Sequence, residues 1–154
     1  MKKLIKTIMG ALISVAMPFG ISGTALADGA SQDSAAQVCS DQTLHGSYVF
    51  SAQGFNIVNG AAQPKAILEG IDFNGDGTLS VPFVTVSNNG SIIHPPPGGT
   101  GVYTVQANCQ GTVNFTNGPS FNIFVRPFGN NLWMIQTDSN TVLQGTVLKV
   151  PRAP

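Results

Sequence analysis

The sequence predicts an all-β fold, an antiparallel up-and-down closed barrel of about eight strands. Beyond residue 40, apolar and polar residues alternate with a period of two, which is typical of strands with one buried face. Asn-Gly pairs, which favour tight hairpin turns, occur at 59–60, 74–75, 89–90 and 117–118. No amphipathic helical period occurs in this region. Many short strands joined by hairpins favour a barrel, because closure removes unpaired strand edges.

Residues 1–27 are predicted to be a secretory signal peptide. They begin with a lysine-rich segment, continue with an apolar stretch and end in Ala25-Leu26-Ala27, which matches an A-x-A cleavage site. Cleavage before Asp28 predicts an exported protein, periplasmic or secreted, with no membrane span in the mature chain. Cleavage also removes three of the seven basic residues and none of the acidic ones. The sparse, slightly acidic surface argues against nucleic acid as a partner, because such binding needs clustered Lys and Arg.

The mature chain is expected to consist of an N-terminal linker, residues 28–38, and a single β-barrel domain, residues 39–154. Cys39 and Cys109 are the two cysteines. In an oxidising compartment an even pair is most simply a disulfide. This bond would tie the short N-terminal segment to the barrel and stabilise the fold by roughly 4 kcal/mol in the chain-entropy model. No metal site is predicted here, because neither cysteine has a second ligand at C-x-x-C spacing.

Each expected strand is indicated by a segment in which apolar and polar residues alternate. The apolar members of successive alternating segments are Tyr48 and Phe50; Leu79, Val81 and Phe83; Tyr103 and Val105; Val113 and Phe115; and Phe121, Ile123 and Val125. The runs 132–137 and 141–150 are apolar with weaker alternation, so their inward faces stay undecided. The segment from Ser87 to Gly99 contains three consecutive prolines and is predicted to lie outside the sheet, because proline cannot donate to a ladder. Two interpretations of this segment remain open: it forms a lid over the barrel mouth, or it is a variable surface loop.

Three motifs together resemble an uncharacterised family of small secreted bacterial β-barrel proteins. They are L-x-G-x-Y-x-F at 44–50, F-x-G-x-G at 73–77 and G-x-Y-x-V-x-x-x-C-x-G-T at 101–112. Members of that family are similar in their barrel to allene oxide cyclase and the calycins, so the resemblance implies a calycin-like closed barrel. It implies no activity. The plant cyclases use a polar pocket that contains a Glu. The residues around Glu69 match no motif that would assign the same role to this side chain.

The sequence predicts no catalytic residue, no metal ligand and no cofactor. Residues 72–77 resemble the start of a calcium loop, but position twelve is Phe83 where an EF-hand needs an acid. A hairpin turn explains these residues, and a weak surface calcium site is the alternative. The two histidines, His45 and His94, lack ligand spacing, and the G-x-S-x-G motif of hydrolases is absent.

The barrel interior is therefore the predicted ligand site. Its inward candidates are Tyr48, Phe50, Tyr103, Phe115 and Phe121. An eight-stranded barrel is just wide enough to fill with side chains or to hold one small ligand. Three functions remain open: an exported non-catalytic barrel that binds a small apolar ligand or an envelope partner, an isomerase or cyclase with an apolar pocket, and a structural or surface-interaction barrel with a filled core. The oligomeric state is not predicted.

Overall fold

A computed structural model describes residues 38–151. The predicted signal peptide, the linker up to residue 37 and the last three residues lie outside the described residues. The described chain forms a short 3-10 turn, Asp41–Thr43, and these strands: β1 His45–Val58, β2 Ala61–Asn74, β3 Thr78–Asn88, β4 Ser91–Ile93, β5 Gly99–Val105, β6 Gln110–Phe115, β7 Ser120–Val125, β8 Asn131–Gln136 and β9 Thr141–Lys149. No helix in this range is long and apolar enough to cross a membrane.

The predicted antiparallel closed barrel of eight strands is confirmed. The strand order is β2-β1-β9-β8-β7-β6-β5-β3, and an additional pairing of β2 with β3 closes the cylinder. Strand β4 is an extra strand that pairs with the end of β3. Consecutive strands of the barrel are neighbours in space, as an up-and-down connection requires.

Two of the four Asn-Gly pairs, at 59–60 and 89–90, form tight turns where hairpins were predicted. Asn59 and Gly60 have φ values of 52° and 80°, and Asn89 and Gly90 have values of 48° and 85°. Positive φ at both central residues is the geometry of a type I′ turn, whose twist matches that of the flanking strands. Local chemistry therefore sets the β1–β2 and β3–β4 connections.

One expected inward position is wrong. The alternation in β3 predicts that Phe83 faces inward, but its side chain is 46% exposed. Strand β3 has one extra residue opposite the step from Gly70 to Asp72, and this bulge moves the later inward positions of β3 to Val84 and Val86. Phe83 lies on the outer face above Gly70, where an added Cβ would collide with the Phe83 ring.

The segment from Ser87 to Gly99 also differs from its prediction, because part of it joins the sheet. After the turn at Asn89 and Gly90, β4 pairs with residues 86–88 of β3. The pairing ends before the three prolines, which have no N–H to donate. The prediction of a segment outside the sheet therefore applies only to the proline-rich part.

The N-terminal segment closes one end of the barrel, and the predicted disulfide between Cys39 and Cys109 ties it there. The Cα atoms of the two cysteines are 5.0 Å apart. A hydrogen bond to a side chain reinforces the covalent bond: the Val105 N–H donates to the carboxylate oxygen Oδ1 of Asp41 at 2.6 Å. Leu44, which follows the 3-10 turn, is completely buried. This end of the barrel is therefore capped.

Candidate functional site

The structure places the five predicted interior residues in the core of the barrel. Tyr48, Phe50, Tyr103 and Phe121 are buried, and Phe115 is partly buried and packs against the same cluster. The ring centroids of Phe50 and Phe121 are 5.6 Å apart, and those of Phe115 and Phe121 are 5.9 Å apart, both with edge-to-face geometry. Edge-to-face rings at this distance are in direct contact. The rings of Phe50, Phe115 and Phe121 therefore pack against one another inside the barrel.

Structural hydrogen bonds occupy the two tyrosine hydroxyls. The Tyr48 hydroxyl donates to the carbonyl oxygen of Gly129 at 2.7 Å. The Tyr103 hydroxyl lies 2.9 Å from the carbonyl oxygens of both Asp41 and Leu44, and it accepts the Gly75 N–H at 3.0 Å. Both hydroxyls fasten loops at the capped end. Since a hydroxyl has one proton to donate, neither has a proton left to donate to a ligand inside the barrel.

Glu69 is the acidic side chain of the interior. It is 8% exposed, and its register partners on the two neighbouring strands are Phe50 and Val84. Within the described residues no hydrogen-bond donor reaches its carboxyl. Burial raises the pKa of Glu69 to about 7, because an apolar environment disfavours the ionised form. A neutral carboxylic acid at this position has a proton to donate near physiological pH.

A small polar cluster lies near the ends of β7 and β8. The Asp138 carboxylate accepts the Gln136 Nε2–H at 2.7 Å and the Ser120 N–H at 3.0 Å. These hydrogen bonds, the one from Gln136 first, lower the pKa of Asp138. Burial lowers the pKa of Lys65, and the negative charge of Asp138 opposes that effect. Among the described residues, the buried Oε1 of Gln136 has no hydrogen-bond partner.

The calcium-like turn is a strand connection. The Asp76 carboxylate accepts hydrogen bonds from the backbone N–H of Thr78 at 3.0 Å and from its hydroxyl at 2.6 Å. These two hydrogen bonds lower the pKa of Asp76. No group of three or more His, Cys, Asp or Glu side chains within residues 38–151 is arranged to hold a metal ion.

A groove, here called the wall groove, runs across the strands on the outer face of the barrel. Its volume is about 1190 Å³. Two rows of outward side chains, each following the cross-strand register, form its sides. Row one consists of Thr85, Leu68, Ser51, Thr146, Trp133, Phe124 and Gln110. Row two consists of Ser87, Ala66, Gln53, Gln144, Ile135, Asn122 and Thr112.

The floor of the wall groove is a third register line between these rows. It consists of residues whose side chains point inward, so that their backbone faces the groove: Ile67, Ala52, Gly145, Met134, Ile123 and Gly111. A second depression of about 860 Å³ lies on the other side of row two and reaches Phe55 and Val142. Neither depression is lined by Glu69.

The wall groove combines exposed apolar side chains with uncharged polar ones. None of its lining residues carries a charge. Trp133 and Phe124 are 48% and 46% exposed, and their ring centroids are 6.3 Å apart at an interplanar angle of 34°. Contiguous exposed aromatic surface on a protein is a common mark of an interaction site. Sequence reasoning missed this groove, because it depends on which side chains of seven strands fall into register.

Comparison with family models, with curated proteins and with solved structures gave no match. The resemblance to secreted bacterial barrels and to the calycin barrel therefore stays a prediction.

Proposed function

We propose that the protein is an exported, non-catalytic binding protein that holds an envelope component on the outer wall of its barrel. The main support for this proposal is the wall groove, in which Trp133 and Phe124 form an exposed aromatic surface between uncharged polar side chains. Trp is among the residues most enriched at binding hot spots. Export rests on the predicted signal peptide, and a disulfide between Cys39 and Cys109 is compatible with an oxidising compartment.

The packing of the interior favours the outer wall over an internal ligand site. A small apolar ligand inside the barrel would have to displace rings that contact each other, such as Phe50 and Phe121. It would also find the hydroxyls of Tyr48 and Tyr103 engaged with backbone groups. Protein interiors are close-packed, so an occupant of this size would require rearrangement of the core.

Retention on isolated envelope fractions tests the proposal. Peptidoglycan, outer-membrane fragments and surface polysaccharide are each incubated with the protein, with a Trp133→Ala variant and with a Val102→Ala control. Val102 is 56% exposed on β5, outside the wall groove. Loss of retention in Trp133→Ala, with retention unchanged in Val102→Ala, is the expected result. Equal behaviour of the two variants, or no retention on any fraction, would contradict the proposal.

A second candidate is an isomerase or cyclase, and Glu69 alone favours it. A buried carboxyl whose pKa is about 7 is suited to transfer protons near neutral pH. The test is proton exchange in D2O on a β,γ-unsaturated ketone probe, followed by NMR. Exchange that is lost in Glu69→Gln, with the fold retained, favours the enzyme. Exchange at the uncatalysed rate favours the binding protein.

A further inference from the structure

We infer that the ligand of the wall groove is a neutral, linear carbohydrate chain. This inference rests on the proposed function, because it names the chemical class that the outer wall would hold. Three features of the groove support it: the absence of charged side chains from its lining, its aromatic surface and its direction across the strands.

The lack of charge selects the class of ligand. Phosphate, carboxylate and ammonium groups are normally bound by side chains of opposite charge, as in bidentate Arg–carboxylate pairs. The wall groove has no such partner, since its polar side chains are amides and hydroxyls. An anionic or cationic ligand would lose hydration without gaining an ion pair. A neutral ligand avoids this cost, so the groove complements an uncharged polymer.

The side chains around the aromatic pair match the surface of a sugar. A pyranose ring has a face of C–H groups and a rim of hydroxyls. The C–H face can lie on the negative π-face of Trp133 or Phe124, which together form one tilted surface. The neighbouring amides of Gln144, Gln110 and Asn122 each offer a donor and an acceptor. Hydroxyls need both, because each one donates and accepts.

The direction of the groove favours a chain over a compact molecule. The wall groove crosses β3, β2, β1, β9, β8, β7 and β6. The backbones of neighbouring strands lie about 4.8 Å apart, and the rings of Trp133 and Phe124 on adjacent strands are 6.3 Å apart, so a chain that follows the groove would meet one strand after another. The amides of row two repeat along this direction at Gln53, Gln144 and Asn122.

Other linear ligands fit less well. An extended peptide binds a sheet by adding a strand to an open edge, whereas the wall groove crosses the paired interior of the sheet. An acyl chain would cover the amides without supplying hydrogen bonds, which costs free energy. A second copy of the chain would bring the same uncharged wall against itself, and the experiment below includes that outcome.

Trp133 provides the assay, because it is the single tryptophan of the chain. Its fluorescence is titrated with maltohexaose, cellohexaose and chitohexaose as neutral probes, and with oligogalacturonate as the acidic probe. We expect a saturable change with at least one neutral probe and none with oligogalacturonate. Phe124→Ala and Gln144→Ala should weaken the binding by about tenfold each, and Val102→Ala should leave it unchanged.

Different contrary results would overturn the carbohydrate assignment and the outer-wall function. Binding of oligogalacturonate alone, or no fluorescence change with any neutral probe, overturns the carbohydrate assignment. A fluorescence change that follows protein concentration, with dimers in sedimentation, overturns it in favour of a second copy. If the probes fail while retention on envelope fractions still depends on Trp133, the ligand class is wrong and the outer-wall function stands. If retention does not depend on Trp133, the proposed function itself is wrong.

Discussion

Replacing Glu69 with glutamine is expected to stabilise the barrel at neutral and alkaline pH and to change its stability little in mild acid. Burial raises the folded-state pKa of Glu69 from 4.5 to about 7. Between these two values the folded protein binds more protons than the unfolded chain. The contribution of this group to the free energy of unfolding is therefore fully present below about pH 4.5 and falls as the pH rises to about 7.

The size of the effect follows from the same two pKa values. One pKa unit corresponds to about 1.4 kcal/mol, so the difference between 4.5 and about 7 amounts to roughly 3 kcal/mol. The neighbours Phe50 and Val84 supply no charge that would offset the ionised carboxylate. Glutamine has nearly the same shape and does not ionise. At pH 8 the Glu69→Gln variant should therefore be more stable by up to this amount.

Urea unfolding of the disulfide-bonded protein at several pH values between 4.5 and 8, followed by circular dichroism, measures the difference. The control is Asp76→Asn, whose carboxyl is exposed and whose pKa is lowered by hydrogen bonds from Thr78. That variant should lose stability relative to the parent above the pKa of Asp76, which is the opposite sign. Parallel pH profiles for the parent and Glu69→Gln would refute the reasoning, since they would mean that the carboxyl is solvated or paired.

Three further predictions concern the disulfide, the core and the β2–β3 turn. Cys109→Ser should destabilise the domain by roughly 2–5 kcal/mol, and titratable thiol in the non-reduced parent would contradict the bond to Cys39. Phe121→Ala should lower the free energy of unfolding, measured with urea, by roughly 3–5 kcal/mol because it opens a cavity in the core. The control is Phe124→Ala, which removes an exposed ring from the same strand. Equal losses of stability in the two variants would contradict a filled interior. Millimolar calcium should leave the melting temperature nearly unchanged, since the Asp76 loop lacks the terminal acid, and a rise of several degrees that Asp76→Ala abolishes would show a metal site.

The sequence predicts the features of the barrel that local patterns encode. Alternation is sufficient to orient Tyr48, Phe50, Tyr103 and Phe121 inward, because neighbouring side chains of a strand lie on opposite faces. The turns at 59–60 and 89–90 likewise depend on local residue chemistry, and the disulfide is predictable because the chain has two cysteines. These elements account for the approximate number of strands and their antiparallel hairpin connections, whereas closure also requires the long-range pairing of β1 with β9.

Features that depend on cross-strand register are not predicted. The bulge in β3 moves Phe83 to the outside, and nothing in its alternating segment signals the extra residue. Trp133 lies in a run whose inward face the sequence leaves undecided, and its place beside Phe124 follows from the pairing of β7 with β8. The burial of Glu69 similarly depends on the apolar residues that β1 and β3 bring beside it.

The pairing of β1 with β9 makes the barrel a ring of hairpins with a single break in its chain. Tyr48 lies opposite Lys149, so the first strand starts and the last strand ends at the same end of the cylinder. A short peptide joining these ends would complete the ring, and the chain could then be reopened at the exposed Asn59-Gly60 turn. Circular permutation at this turn preserves every strand pair. We therefore expect a chain permuted in this way to fold to the same barrel.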